Sequence, residues 1–514
     1  MDLPPGHYYH FGVQASIIRA IRRCCRSIAN LGNLQLLVGV DGTPTSKSTK
    51  QEMWPILGLL KNTGNDDADP FVIGLYIEPT KPNSANDFLT PFVDEMVEVD
   101  EKGIDFDGND VIRVKLIGFS CDAPARAYLK YIKTHTGYSA CERCTATGEY
   151  YCNRVVFRHG SGSLRTNESF RNQTDPEHHR GTSVLQRLPL FDMVNGFPLD
   201  YMHLILLGVA KKMLTALTTN IKKVFKVKLP THVIADITGR LQGCAGWLPV
   251  EFQRKTRALE EISRWKAIEL RTFLLFVGPI VLKNNVDDKY YIHFLKLHVA
   301  IKILLTPVVC QTYNSLADAL INEYAEDCAS LYGLSFLSYN VHGMEHVADD
   351  ALRYGHLDRV STFPFENKLG ELKRLLRKPS EPLIQIVHRI TEYERKKHTF
   401  PIKKNAATVE SSKHTNGPIF PGLDKDIKPY NTLKFFGSRI STARPNNCVI
   451  LNNNDVVIVK NIVLKVSGEI IIIASPCTMK KTFTLFPFRL PSKKTEIPKK
   501  FFFIVNIRHL HSFQ

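Results

Sequence analysis

Apolar residues in the first third of this chain fall in short, nearly unbroken runs. LQLLVGV (34–40), MWPILGLL (53–60), FVIGLYIE (71–78) and VIRVKLIGFS (111–120) each read as a strand. Runs with so little alternation suit a sheet covered on both faces. Between the third and fourth runs, ANDFLTPFVDEMVEV has helical spacing, and APARAYLKYIKT follows the fourth. Upstream, ASIIRAIRRCCRSIANL places apolar residues on one helical face, which predicts a helical segment over residues 1–30.

Three strands, a helix, a strand and a helix over residues 31–145 is the element order of a ribonuclease-H-like core, an α/β arrangement. Residues 146–199 are polar and aperiodic, which predicts a long exposed loop. Residues 200–340 then turn helical (HLILLGVAKKMLTAL, AIELRTFLLFVGPIVL, FLKLHVAIKILL, SLADALINEYAEDCASLYG), predicting an all-α insertion. The second part of the core and a basic helix are expected over 341–400, with a linker at 401–429. From 430 to 514 the pattern is β-rich (TLKFFGSRIS, VVIVKNIVLKVSGEIIIIASP, TFTLFPFRL, KFFFIVNI), broken by Asn-Asn, Ser-Gly and Pro turns, and predicts a small separate β domain.

Length and composition narrow the class. A chain of 514 residues, 44% hydrophobic and 23% charged, is long enough for two or three globular domains. Its 67 Lys and Arg exceed its 50 Asp and Glu, for a net +17, which favours polyanionic partners. Eleven cysteines are too sparse for a disulfide scaffold, and the start MDLPPGHYYHFG lacks a signal-type apolar core. A reducing intracellular compartment is therefore expected, where a CxxC more often holds metal or does redox chemistry.

Candidate chemistry rests on seven residues. Asp41 closes LQLLVGV and Asp122 closes VIRVKLIGFSC, so neighbouring strands would bring the two carboxylates together, and Glu366, in FPFENKLGELK, would join them from a helix. Three converging carboxylates are what a pair of Mg²⁺ (or Mn²⁺) ions needs for phosphodiester chemistry. An Asp after a strand is also a common turn residue, Asp122 fits a helix N-cap, and Glu371, Glu345 and Asp358 compete as third carboxylate. Cys141 and Cys144 form a CxxC, half of a Zn²⁺ site. His342 and His346, one helical turn apart in HGMEH, would form the other half. Competing ligands are His135, His178, His179 and above all His203 in LDYMH.

Taken together, VGVDG (38–42), FSCDAPARAYL (119–129), GYSACERC (137–144), LDYMHLILLGV (199–209), HGMEH (342–346) and FPFENKLGELK (363–373) resemble the DDE transposases of the CACTA, Mirage and Chapaev group. More distantly they resemble the catalytic subunit of the V(D)J recombinase. The CxxC starts 19 residues after Asp122, and Glu366 lies 20 after His346, in the order and spacing of that group. The resemblance implies a ribonuclease-H-like fold interrupted by helices before the last carboxylate. It assigns Mg²⁺ to Asp41, Asp122 and Glu366, and Zn²⁺ to Cys141, Cys144, His342 and His346. It further implies nicking of double-stranded DNA and attack by the freed 3′-hydroxyl, a homodimer on paired DNA ends, and a nuclear location, for which ERKKH and PIKK are weak import signals. Two other readings share these residues: a host-adopted DNA-binding or regulatory protein without catalysis, and a zinc-braced nuclease that cuts without joining.

Overall fold

A computed structural model describes residues 1–24, 33–45, 51–63, 69–106, 108, 110–160, 162–218, 225, 227–378, 380–397, 407–414, 416–419, 428–435, 438–451, 455–465, 469–476 and 503–506. They form two compact units. One is Met1–Thr238 with Arg257–Thr399, and the other is Gly239–Thr256 with Phe400–Gln514.

The first unit is built on a seven-stranded mixed sheet. Its main strands are β1 (Gly6–His10), β2 (Leu34–Val40), β3 (Glu52–Lys61), β4 (Phe71–Glu78) and β5 (Val114–Ser120). They lie in the order β1-β4-β3-β2-β5. Short strands at Asp2–Leu3 and Thr43–Pro44 add to β1 and β3. All pairs are antiparallel except β2 with β5, which run parallel. The unbroken apolar character of the strands has its expected cause, since both faces are covered. On one face Leu36, Val38 and Ile56 pack with helices α1 (Val13–Cys24), α2 (Ala85–Lys102) and α3 (Ala123–Lys130). On the other, Leu37, Leu57 and Leu75 pack with α9 (Phe363–Leu375) and α10 (Pro382–Lys397).

Between α3 and α9 the chain is helical from α4 (Met202–Ala210) onward. The long members are α5 (Asp288–Leu305) and α6 (Asn314–Tyr332), followed by the short α7 (Tyr339–Gly343) and α8 (Val347–Tyr354). No helix among the described residues is long and apolar enough to cross a membrane.

Three expectations change. Residues 146–199 are not an exposed loop: Phe170, Leu185, Leu188, Phe191, Met193 and Phe197 are buried in the core with α2 and α3. Their backbone is tied by side chains, as where Arg171 donates to the carbonyls of Gln186, Leu188 and Phe191. β1 was not foreseen, because GHYYH has few aliphatic residues. Its burial nevertheless alternates, with Tyr8 inward. The expected linker at 401–429 contains a strand, β6 (Ala407–Lys413).

The second unit is an antiparallel sheet in the order β6-β7-β10-β11-β12, from β7 (Lys428–Phe435), β10 (Val456–Leu464), β11 (Ile470–Pro476) and β12 (Phe503–Asn506). β8 (Ser438–Ser441) pairs with β7, and β9 (Cys448–Ile450) with β10. Leu433, Phe435, Val457, Val459, Ile462 and Ile472 form its core. The expected strand TFTLFPFRL, the PIKK cluster, the side chains of ERKKH and the end of the helix at 25–30 lie outside the described residues.

Candidate active site and metal centre

Parallel pairing of β2 with β5 sets the first half of the site. Gly39 is opposite Ser120 in the register, so Asp41 and Asp122 each lie two residues beyond that pair, at adjacent strand ends on one side of the sheet. Neighbouring strands are about 4.8 Å apart. Asp122 also caps α3, its Oδ1 accepting from the Ala125 N–H at 2.8 Å, as the helix-cap reading expects. Glu366 arrives from the first turn of α9. Gly39 lets α9 come this close, because a Cβ there would meet the Phe365 ring at 2.5 Å. Asp41, Ser120, Thr362, Phe365 and Glu366 line one small cavity.

The electrostatics record the convergence. Burial, then the charges of Asp122 and Glu366, push the Asp41 carboxyl up to about 8, against a smaller opposing pull from His203. Crowding of this kind is relieved by a proton on Asp41 or by a cation.

His203 belongs to this cluster and not to the group of Cys141, Cys144, His342 and His346. Its Nδ1 lies 2.8 Å from Oδ2 of buried Asp200, and its Nε2 is 4.0 Å from Oε1 of Glu366. Burial pushes His203 down, but Asp200, Asp122 and Asp41 outweigh it and hold it up at about 9. Asp200 is a knot: it also accepts from the Thr362 N–H at 3.0 Å and from the Thr362 hydroxyl at 2.7 Å. It thereby joins the start of α4 to the start of α9.

The other competitors are engaged elsewhere. Asp358 pairs with Arg271, Glu371 with Lys368, and Glu345 sits beside His342. His178 Nδ1 is bonded to the Ser139 carbonyl, His179 packs on Phe170, and His135 lies against Tyr339.

Cys141, Cys144, His342 and His346 do come together. All four are buried, and their ligand atoms lie within 4.8 Å of one another. Cys144 Sγ is 3.3 Å from His342 Nε2, Cys141 Sγ is 3.6 Å from His346 Nε2, and the two sulfurs are 3.5 Å apart. A tetrahedral zinc would set S···N near about 3.5 Å and S···S near about 3.8 Å, given Zn–S of about 2.3 Å and Zn–N of about 2.0 Å. The donor set and its spacing therefore fit a metal such as zinc. Hydrogen bonds prepare it further: the N–H groups of Arg143 and Cys144 both donate to Cys141 Sγ at 3.4 Å. Burial pushes the Cys141 thiol up, while its hydrogen bond to Cys144, with the two imidazoles, favours the Cys144 thiolate. Glu345 Oε2 lies 3.6 Å from His342 Nδ1 and can orient that ring.

The two residues inside the CxxC are charged and buried, a signal the sequence reading passed over. Glu142 accepts from Arg126 Nε at 2.8 Å, Lys130 Nζ at 3.0 Å and the Tyr339 hydroxyl at 2.9 Å. Arg143 forks onto Asp350 at 2.7 and 2.9 Å, and the Leu199 N–H donates to the same carboxylate at 2.7 Å. Through these bonds the CERC loop is fixed to α3 on one side and to α7 and α8 on the other.

A model of a domain of unknown function, DUF8592, matches residues 413–500, inside the β-rich second unit. No curated protein matches the chain.

Proposed function

We propose that this chain is a DNA transposase of the DDE type, with a ribonuclease-H-like core whose last carboxylate follows an all-helical insertion. The observation that carries the reading is the convergence of Asp41 and Glu366 on one cavity, with Asp122 at the adjacent parallel strand end and close enough for its charge to act on Asp41. These three side chains would hold Mg²⁺ or Mn²⁺. When bound, the metal would supply activation of the attacking oxygen and stabilisation of the leaving one.

The chain's own groups prepare the site. Asp200 fixes the ring of His203, whose Nε2 edge faces Glu366 and offsets part of the carboxylate charge. Thr362, held by the same Asp200, fixes the start of α9 and so the height of Glu366 above the sheet. Cys141, Cys144, His342 and His346 would hold Zn²⁺ in a structural role. They tie the segment after Asp122 to the segment before Glu366 across the helical insertion. The resemblance to DDE transposases would add double-stranded DNA as substrate, a homodimer on paired ends and a nuclear location.

The test is a joining assay with Mn²⁺, supercoiled plasmid and a labelled oligonucleotide that ends in a 3′-hydroxyl. Joined product that disappears in Asp122→Asn and Glu366→Gln supports the proposal. DNA cut but never joined would make the chain a nuclease. DNA bound but neither cut nor joined would make it an adopted binding protein.

A further inference from the structure

The positive surplus of this chain is concentrated in one unit. Gly239–Thr256 with Phe400–Gln514 carries 21 Lys and Arg against 7 Asp and Glu, so +14 of the net +17. The unit with the carboxylates and the Cys₂His₂ group carries 46 against 43. Counterion release scales with the phosphates neutralised, so a nearly neutral catalytic unit gains little affinity for a polyanion by itself.

Within the basic unit, the charge has a geometric focus. Lys434 of β7 and Arg439 of β8 are both exposed and stand directly opposite each other in the register. Like charges so placed destabilise a strand pair, so the position suits an anion supplied from outside. Three residues beyond β8, Arg444 lies over the ring of Trp247 with its guanidinium carbon 4.0 Å from the centroid. Trp247 is 60% exposed, whereas Trp54 and Trp265 are 8% and 1% exposed. A guanidinium held over an indole gives up little further freedom on binding, and the exposed Arg444 keeps N–H donors for a phosphate. The segment that bears Trp247 is pinned along this edge. The Val250 N–H donates to Asn446 Oδ1 at 3.2 Å, and the Arg439 N–H donates to Glu251 Oε1 at 3.1 Å. The nearby Glu251 carboxylate is thus engaged with backbone.

We propose that this edge of the β-rich unit, formed by Trp247, Lys434, Arg439 and Arg444, is a binding surface for the phosphate backbone of duplex DNA. That it receives a polyanion rests on its charge and geometry. That the polyanion is DNA rests on the functional reading above. The β-rich unit then supplies the sequence-independent grip, and the carboxylate unit supplies the chemistry.

The test uses the full chain and a fluorescein-labelled duplex of about 30 base pairs, with binding read by anisotropy over a salt series. Reversal of the three exposed cations in K434E/R439E/R444E is expected to weaken binding by more than about 10-fold. It should also flatten the slope of log K against log salt by about 3, near 0.9 for each lost phosphate contact. The matched reversal R374E/R377E/K378E in the other unit is expected to flatten it less. Duplex DNA should also alter the fluorescence of the exposed indole, and Trp247→Phe should abolish that change. Unaltered affinity and slope in K434E/R439E/R444E would overturn the proposal. So would wild-type chain that binds phosphatidylserine vesicles through these residues but not the duplex. A chain that binds DNA through this edge yet never nicks it would refute the transposase reading and leave this one standing.

Discussion

Replacing Glu142 by Gln removes one charge from a buried cluster while keeping its shape. In the native chain one carboxylate balances two cations, Arg126 and Lys130, and accepts from Tyr339. Removing one partner of a buried pair costs about 3–5 kcal/mol, because the charge left behind has lost its solvent and its counterion. An amide still accepts one hydrogen bond, so Glu142→Gln should fall near the lower figure, about 3 kcal/mol, and Glu142→Leu near the upper. Lys130 is the cation that can yield. Burial already holds it below the usual lysine range, against the pull of Glu142. Without that pull its folded pKa falls further below its unfolded value of about 10.4. The unfolded chain then binds more protons, so the variant regains stability as pH rises from neutral toward that value. Urea unfolding of wild type, Glu142→Gln and Glu142→Gln/Lys130→Met at pH 7 and pH 9 checks this, with zinc retention against a chelator followed in parallel. The added Lys130→Met should restore part of the loss at pH 7 and remove the extra gain at pH 9. The reasoning is refuted if Glu142→Gln unfolds within about 1 kcal/mol of wild type, or if Lys130→Met deepens the loss.

Other outcomes follow from the same geometry. Gly39→Ala would press a methyl group into the Phe365 ring, so we expect a loss of about 1–3 kcal/mol in thermal unfolding and weaker Mn²⁺ binding by titration, as α9 is pushed away. Asp200→Ala leaves the Thr362 N–H, the Thr362 hydroxyl, the His203 N–H and the His203 ring without their acceptor. Four such losses at about 1 kcal/mol each predict about 4 kcal/mol in urea unfolding. The Asp41 carboxyl, raised to about 8, is more protonated folded than unfolded, so metal-free protein should lose stability as pH rises from about 4 to that value. Saturating Mg²⁺ should flatten the trend in a pH series of melting curves, and a trend of the opposite sign would contradict the clustering.

Much of the α/β unit was legible because its strands are buried on both faces and therefore read as unbroken apolar runs. Asp41 and Asp122 stood out as the polar residues that close two such runs. Their partnership depends on the parallel register of β2 and β5, which periodicity does not encode. Glu366 could not be separated from Glu371 and Asp358 by pattern, since a helix turn or an ion pair elsewhere decides each. His203 was misplaced as a rival zinc ligand because its role is set by Asp200, only three residues away but itself held from across the chain by Thr362. The segment 146–199 was misread because its buried aromatic and aliphatic residues follow no helical or strand period. Apart from a short hairpin of Glu149–Tyr151 with Arg154–Val156, it is held largely by side-chain bonds such as those from Arg171 to backbone carbonyls. Glu142 and Arg143 carried a signal that was overlooked: two charges inside a CxxC whose neighbours are small or apolar.

The most direct measurement is metal-dependent nicking of supercoiled plasmid by the purified chain, beside Asp41→Ala, Asp122→Ala and Glu366→Ala. The account predicts that wild type converts supercoiled to open-circular DNA with Mg²⁺ or Mn²⁺. Each variant should stay folded, keep its zinc and bind DNA, yet nick at least about 100-fold more slowly. Nicking that survives all three substitutions, or a wild type that binds DNA with metal present and never cuts it, would contradict the carboxylate site.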